Sequence, residues 1–299
     1  MKVLVTGATG MVGSELGKTL TKRGDIVLEL KRNKSSLSSN SAFWNPGTGE
    51  IDAAALEGID AAVHLAGENI SEGRWTDEKK KRILNSRVKG TTLLSETLAG
   101  LNNKPGVLIS ASAIGYYGNR GDELVNEASK PGNDFLADVC AQWEQSTSAA
   151  REAGIRVVNI RIGVVLSTKG GALAKMLLPF KMGVGGKVGD GDQYMSWIAL
   201  DDLISAILFL IDTDAIQGPV NMVSPNPVTN AEFTKALGKA LSRPAVLPAP
   251  AFALRLVFGE MADALLLSGA RVEPTKLKAS NYTFKYPQLD AALKHLLKD

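Results

Sequence analysis

The first two dozen residues constrain the fold more than any other stretch. Lys2–Thr6 (KVLVT) is a short β-branched run that reads as a buried strand. Met11–Arg23 has helical periodicity through Met11, Val12, Leu16 and Leu20 and stops at Gly24. Between them lies Thr-Gly-Ala-Thr-Gly-Met-Val-Gly, with glycines at 7, 10 and 13. Gly7 permits a tight turn, Gly10 lets backbone approach a pyrophosphate, and Gly13 lets the helix pack closely on the sheet. The helix start then offers free N–H groups and the positive end of its dipole to a phosphate. A turn serving packing alone would also use glycine, but a first strand leading through it into a helix is the setting a dinucleotide requires. Gly7, Thr9, Gly10, Met11, Val12 and Gly13 are therefore the expected cofactor contacts.

The second strand, Ile26–Leu30, bears on which dinucleotide. An NAD site carries an acidic residue about 20 positions after the glycine turn, on the ribose 2′-hydroxyl. Here the strand ends in Lys31-Arg32, and Glu29 falls within the strand. Two cations suit a 2′-phosphate, which Arg can hold through two hydrogen bonds. The plainer alternative is a basic strand end facing water. The expected cofactor is NADP(H), with Lys31 and Arg32 at its 2′-phosphate.

Strands and helices alternate through the first half. Asp60–Leu65 reads as a third strand ending at Ala66-Gly67. Thr76–Ala99 reads as a long helix with Thr76 as N-cap and Asp77 and Glu78 in its first turn. A strand at Gly106–Ala111, a helix at Asp134–Ala153 and a strand at Arg156–Ile162 follow, and the Ser-rich stretch 33–42 reads as a polar loop. This pattern predicts an α/β fold, a doubly wound parallel sheet with helices on both faces. After Leu166, glycines at 170, 171, 183, 185, 186, 189 and 191 suggest a long loop over a ligand or a bent strand. Trp197–Leu200, a helix at Leu203–Ile211, a strand at Pro219–Val223 and helices at about 230–242 and 251–267 complete the reading. Three prolines make Leu241–Pro250 the linker candidate. The expected division is a dinucleotide-binding domain over 1–166, rejoined by about 196–223, and a smaller substrate-facing domain from 167–195 and 224–299.

Lys plus Arg number 34 and Asp plus Glu 31, a net +3 over 299 residues, too weakly basic to argue for nucleic acid. With 44% hydrophobic and 22% charged residues, disorder is excluded as the dominant state. Cys140 is the one cysteine, so no disulfide can form within the chain; with His64 and His295 as the two histidines, a Cys/His zinc site is not expected. The most apolar region, Ala245–Gly269, is broken by Pro248, Pro250, Arg255, Glu260 and Asp263, so it reads as amphipathic helix against a core and not as a membrane span. No signal peptide is visible, and the expected location is cytoplasmic.

TGATGMVG resembles the turn of the extended short-chain dehydrogenase/reductase superfamily. HLAGENI (64–70), Arg74-Trp75, Ser86-Arg87, SAIGYYG (112–118), RIGVVLS (161–167) and SWIALDD (196–202) resemble its YfcH-like, epimerase-family branch. The segment after about residue 245 resembles the small C-terminal domain of unknown function that this branch carries. The resemblance implies a Rossmann fold with a smaller C-terminal, substrate-facing domain, and NADP(H) as cofactor. It puts Leu65, Ala66 and Gly67 along the adenosine half, Ser110 and Ala111 beside the nicotinamide ribose, and Val165 near the nicotinamide. It turns Arg87 toward the cofactor, the alternative being an exposed helix charge. The branch's usual His between Ile198 and Leu200 is Ala199 here, which removes one candidate base.

The superfamily's usual catalysis uses Tyr-x-x-x-Lys on one helix face. Aligned on Glu144, those positions hold Leu136 and Cys140, and no Tyr-x-x-x-Lys occurs in the chain. Cys140 reads as a buried small residue more readily than as a redox thiol. The candidate catalytic residues are Ser112, to bond a substrate oxygen, and Tyr116 or Tyr117 as substitute acid, which would need a nearby cation at neutral pH. The plainer reading is that one tyrosine packs and the other hydrogen-bonds a loop. Lys175 and Lys187 either approach an anionic substrate or are solvated; Trp75 and Trp197 either stack on a ring or fill the cleft. Two functions stand open: an NADP(H)-dependent oxidoreductase or epimerase-like enzyme on a small polar metabolite, and a catalytically silent NADP(H)-binding redox sensor or regulatory module. The expected partner is a small-molecule substrate, with no nucleic acid, membrane or bound metal; a homodimer is left open.

Overall fold

The structure is a computed structural model and describes residues 1–298. β1 (Lys2–Thr6), α1 (Met11–Arg23) and β2 (Ile26–Lys31) follow one another as the sequence pattern requires, and Gly24 closes α1 in the left-handed region at φ +93°. β3 (Ser41–Asn45), β4 (Glu50–Ile51), β5 (Ala61–His64), α2 (Asp77–Gly100) and β6 (Val107–Ala113) come next. Thr76 caps α2, its side chain accepting the Lys79 N–H. β7 (Leu124–Val125), α3 (Phe135–Gln145), α4 (Ser148–Glu152), β8 (Arg156–Ile162) and β9 (Val164–Leu166) lead into α5 (Gly171–Lys181). Then come β10 (Tyr194–Met195), β11 (Trp197–Ala199), α6 (Leu200–Asp212), β12 (Gly218–Met222), β13 (Val228–Thr229) and α7 (Asn230–Leu241). The chain ends in α8 (Ala251–Phe258), α9 (Glu260–Leu265), β14 (Arg271–Val272), α10 (Thr275–Ala279) and α11 (Leu289–Leu296).

The main sheet has the order β12-β8-β6-β5-β1-β2-β3-β4, parallel throughout except for the β3–β4 pair. This is the expected α/β, doubly wound parallel sheet. Successive side chains leave a strand on opposite faces. Val3 and Val5 meet Leu16 and Leu20 of α1 and Leu203, Ile207 and Leu210 of α6; Leu4, Leu28, Ala62 and Leu108 meet Leu94 and Leu98 of α2. The chain builds outward from β1 in one direction through β2, then in the other through β5. The strand order therefore reverses between β1 and β5, the place where open α/β sheets bind ligands. A smaller core gathers Leu173 and Phe180 of α5, Phe233 and Leu237 of α7, and Leu289 and Leu293 of α11 around Trp197.

Four local expectations change. The Ser-rich stretch ends in a strand, β3, because Ala42 and Trp44 alternate inward and Trp44 meets His64 edge to face. The glycine-rich region after Leu166 contains a helix, α5, which buries Leu173 and Phe180 while glycines stand at its ends. The helix expected over 134–153 is broken at Ser146-Thr147, whose hydroxyls bond the Gln142 and Glu144 carbonyls and so compete with its continuation. The helix expected over 251–267 divides at Gly259 (φ +61°), and its first half, α8, buries no side chain.

Candidate active site

The glycine turn is built for close approach. Gly7 sits at φ +67°, and a Cβ there would lie 2.9 Å from the Leu65 carbonyl carbon, so the loops after β1 and β5 touch at the point of strand-order reversal. A Cβ on Gly13 would collide with the Gly7 carbonyl. Thr9 and Gly10 are exposed, Met11 and Val12 half-buried, and the α1 N-cap, Gly10, supplies no side-chain cap. The first N–H groups of a full-length helix are thus open to a ligand oxygen. Val165, Gly171 and Met11 converge above this turn: a Cβ on Gly171 would lie 3.5 Å from both the Val165 carbonyl oxygen and Met11 Cε.

A hydrogen-bond chain fixes the facing loop. Thr6 Oγ1 accepts the N–H groups of Leu65 (3.1 Å) and Ala66 (3.2 Å), so its own proton goes to His64 Nδ1 at 2.7 Å. The His64 proton is then on Nε2, 3.0 Å from Thr91 Oγ1, which also accepts Trp143 Nε1–H at 2.9 Å. Burial drives the His64 pKa down to about 4, so the ring is neutral near pH 7. Arg87 lies under Gly67, its Nη2 donating to the Glu68 carbonyl and its Nη1 to the Ile83 carbonyl, with its guanidinium over the Trp143 ring. Burial lowers its pKa, and it makes no ion pair among the described residues. A cation set under Gly67 in the loop after β5, against neutral partners, suits an anionic ligand. At the end of β2, Lys31 Nζ is 3.2 Å from Glu29 Oε2, whereas Arg32 is exposed and has no carboxylate partner among the described residues. These residues fit an adenine dinucleotide.

A buried polar network that sequence reasoning missed joins β6, β8 and α3. Arg161 on β8 donates to both carboxylate oxygens of Glu144 on α3, at 2.8 and 2.9 Å, and Ser112 on β6 donates to Glu144 Oε1 at 2.8 Å. Ser112 and Arg161 are register partners on adjacent strands. Burial works against the Arg161 charge, but Glu144 outweighs it and holds the guanidinium pKa above its usual value. The same guanidinium stacks on the Tyr116 ring, 3.4 Å from its centroid. Tyr117 is buried; its hydroxyl donates to Asn221 Oδ1 (2.6 Å) and accepts from Arg161 Nη1 (3.1 Å). Burial pushes its pKa up to about 12, against the pull of Arg161. Arg161 lay in a quoted motif, but nothing in its sequence neighbourhood announced a partner 17 residues upstream.

Ser110 and Ala111, one step earlier on β6, are both buried, and Ser110 Oγ has no hydrogen-bond partner among the described residues. Leu136 and Cys140 lie side by side on α3 facing Gly115: a Cβ there would be 3.3 Å from Leu136 Cβ and 3.8 Å from Cys140 Sγ. Cys140 is buried, and burial raises its pKa to about 12, so the thiol stays protonated. Trp75 and Trp197 are core residues, donating to the Ile70 and Asn226 carbonyls. Lys175 crosses to the loop after β5, its Nζ 3.0 Å from Ser71 Oγ, while Lys187 bonds the Asp190 carbonyl. No cluster able to hold a metal ion occurs among the described residues, and no described helix is long and apolar enough to cross a membrane.

Residues 3–223 match the NAD dependent epimerase/dehydratase family, and residues 249–296 match a domain of unknown function, DUF1731. The chain belongs to the NAD dependent epimerase/dehydratase family. An epimerase family protein of Mycobacterium bovis is 42% identical over 291 residues, covering 97% of this chain and 96% of its own. The human epimerase family protein SDR39U1, solved with NADPH, superposes with a TM-score of 0.90 at 34% identity over the full length of both chains. A structure named as a nucleoside-diphosphate sugar epimerase, from Corynebacterium glutamicum, gives 0.82 at 38% identity; 99% of this chain aligns with 58% of that one. Family membership with the DUF1731 segment agrees with the resemblance carried by the sequence motifs.

Proposed function

We propose that this chain binds NADP(H) and serves as an oxidoreductase or epimerase-like enzyme on a small polar metabolite. The observation that carries the reading is the uncapped α1 N-terminus behind Gly7, Gly10 and Gly13, at the reversal of strand order. Met11 and Val12 would offer N–H groups to the pyrophosphate, Arg32 with Lys31 would meet the 2′-phosphate, and Leu65, Ala66 and Gly67 would line the adenosine half. Ser110, Ala111 and Val165 would border the nicotinamide end, with Arg87 as a half-buried cation under Gly67. The likeness to a family member solved with NADPH supports NADP over NAD. When bound, the nicotinamide supplies a hydride donor or acceptor.

The chain's own residues would handle the substrate oxygen. Ser112 lies near the end of β6, where its hydroxyl donates to Glu144, and Tyr116 follows the strand with its ring stacked on the Arg161 guanidinium. Tyr117 serves in this reading as the strut that fixes Arg161, since its hydroxyl is committed to Asn221 and Arg161. The second reading, a silent NADP(H)-binding module, is favoured by one observation: the usual dyad positions hold Leu136 and a protonated, buried Cys140.

The test is parallel titration with NADPH and NADH of cofactor-stripped protein and of Arg32→Ala. The wild type should prefer NADPH, and the variant should lose at least tenfold for NADPH while NADH is little changed. Equal losses for both would remove Arg32 from the 2′-phosphate. Tyr116→Phe, assayed with carbonyl and sugar-nucleotide substrates, separates the enzyme from the silent module.

A further inference from the structure

The segment entering α5 is fastened to both elements that flank the reversal of strand order. Lys169 stands just before the helix. Its N–H donates to the buried Ser167 hydroxyl at 3.1 Å, and its Nζ lies 3.2 Å from Glu15 Oε2 on α1. Lys175, one turn into α5, reaches the loop after β5, where its Nζ donates to the Ser71 hydroxyl at 3.0 Å and the Ser71 carbonyl at 3.3 Å. Ser71 is itself held, because Asn69 Oδ1 accepts its N–H and its hydroxyl proton, both at 3.0 Å. Between the two lysines the backbone lies against Met11, the first residue of α1. A Cβ on Gly170 would be 3.5 Å from Met11 Sδ, and one on Gly171 3.5 Å from Met11 Cε. α1 follows β1 and the Ser71 loop follows β5. Residues 169–175 therefore bridge the two sides of the place where an open α/β sheet takes its ligand.

The anchoring of this bridge and its fastenings differ in kind. Leu173 and Phe180 are buried in the smaller core around Trp197, so packing fixes where α5 lies. The fastenings are polar and reach the surface: Lys169 and Lys175 are exposed, and Glu15 Oε2 is shared with Lys18 at 3.8 Å. Exposed contacts of this kind are individually weak. They can break and re-form without disturbing the core, as a gate must. Gly171, at φ +73°, sits where the chain turns into the helix, in a conformation that glycine adopts at little cost.

We propose that residues 169–175 form a strap across the dinucleotide site, and that its two lysine fastenings, Lys169–Glu15 and Lys175–Ser71, gate cofactor entry and exit. This rests on the reading that NADP(H) binds at the α1 N-terminus. The chain makes both fastenings to itself and neither uses the dinucleotide. They therefore slow entry and exit alike and leave affinity nearly unchanged. A lysine that touched the pyrophosphate would instead tighten binding.

The experiment is stopped-flow fluorescence of NADPH binding and release by the full chain, beside Lys169→Ala, Lys175→Ala, the double variant and Glu15→Gln. Lys181→Ala, at the far end of α5, is the control lysine on the same helix. In the double variant both rate constants should rise at least fivefold while Kd moves less than twofold, and Lys181→Ala should match the wild type. Glu15→Gln should speed exchange as Lys169→Ala does, and combining the two should add little, because both cut the same fastening. The replaced lysines are exposed, so melting profiles should stay unchanged, which separates gating from misfolding. Unchanged rates in the double variant overturn the strap. So does a Kd that weakens in step with release while entry is unmoved, or a slower release in Glu15→Gln, since either puts a lysine on the nucleotide itself. A wild type that binds neither NADPH nor NADH fails the cofactor reading and takes the strap with it. A wild type that binds NADPH at rates indifferent to these substitutions fails the strap alone.

Discussion

His64 shows how a single side chain ties folding to the cofactor turn. It is fully buried between Thr6 and Thr91, and burial holds its pKa at about 4 against 6.5 in the open chain. Between those values the unfolded chain binds a proton that the folded chain refuses. Stability is therefore complete above pH 6.5 and declines as pH falls toward 4, by roughly 3 kcal/mol over the window. Thermal melts from pH 7 to pH 4.5 should show this fall, and His64→Gln should flatten it; an unchanged slope would place the acid sensitivity elsewhere. Gly13 is the second sensitive point. A methyl group there meets the Gly7 carbonyl and the Ala8 backbone, neither of which can move without displacing the turn. Gly13→Ala should weaken NADPH binding by tenfold or more by calorimetric titration, with a smaller loss of stability.

At the scale of elements, α3 and β8 are joined by the buried Glu144–Arg161 pair. Removing one partner of such a pair leaves the other as an uncompensated buried charge, at a cost of about 3–5 kcal/mol. Glu144→Ala should show that loss in urea unfolding, with Glu144→Gln retaining part of the stability through its amide oxygen. The cost should exceed that of Ser112→Ala, which deletes one neutral donor to the same carboxylate. This pair also marks where sequence reading stops. Strands β1, β2, β6 and β8 and helices α1 and α2 were legible because each is a continuous periodic run bounded by Gly, Thr or Asp. β3 was not, because its Ser-rich approach hides a two-residue alternation, Ala42 and Trp44, that matters only once α2 covers it. α5 was masked by the glycines at its ends. α8 was read as a buried amphipathic helix, and the apolar face exists but points to solvent. The glycine cradle was legible because it is local. The buried Ser112–Glu144–Arg161–Tyr117–Asn221 network was not, because its members come from separate elements that meet only when α3 packs on the sheet.

Across the whole molecule, the C-terminal segment is threaded into the sheet domain at several depths. Leu277 of α10 belongs to the core under β1 and α6. Glu127 accepts the Lys276 N–H and the Asn221 N–H through one oxygen, while β14 pairs with β7. Asp202, buried in the first turn of α6, accepts the N–H groups of Lys285 (2.7 Å) and Tyr286 (2.9 Å). Burial raises the Asp202 pKa, with those two N–H groups working the other way. α11 closes the smaller core against α7. A fragment ending at residue 245 would expose the floor under Leu277 and leave Asp202 charged and buried without its donors, each buried unpaired group costing about 1–3 kcal/mol or more. Total stability of a domain is only about 5–15 kcal/mol, so these losses together are enough to unfold it. The full chain should melt in one calorimetric transition, and fragment 1–245 should show none. A fragment that melts sharply and still binds NADPH would mean that the tail rides on a self-sufficient nucleotide-binding domain. Asp202→Ala in the full chain tests the same coupling without truncation: it should lower the midpoint of the single transition, whereas an independent tail would separate into an early melting step of its own.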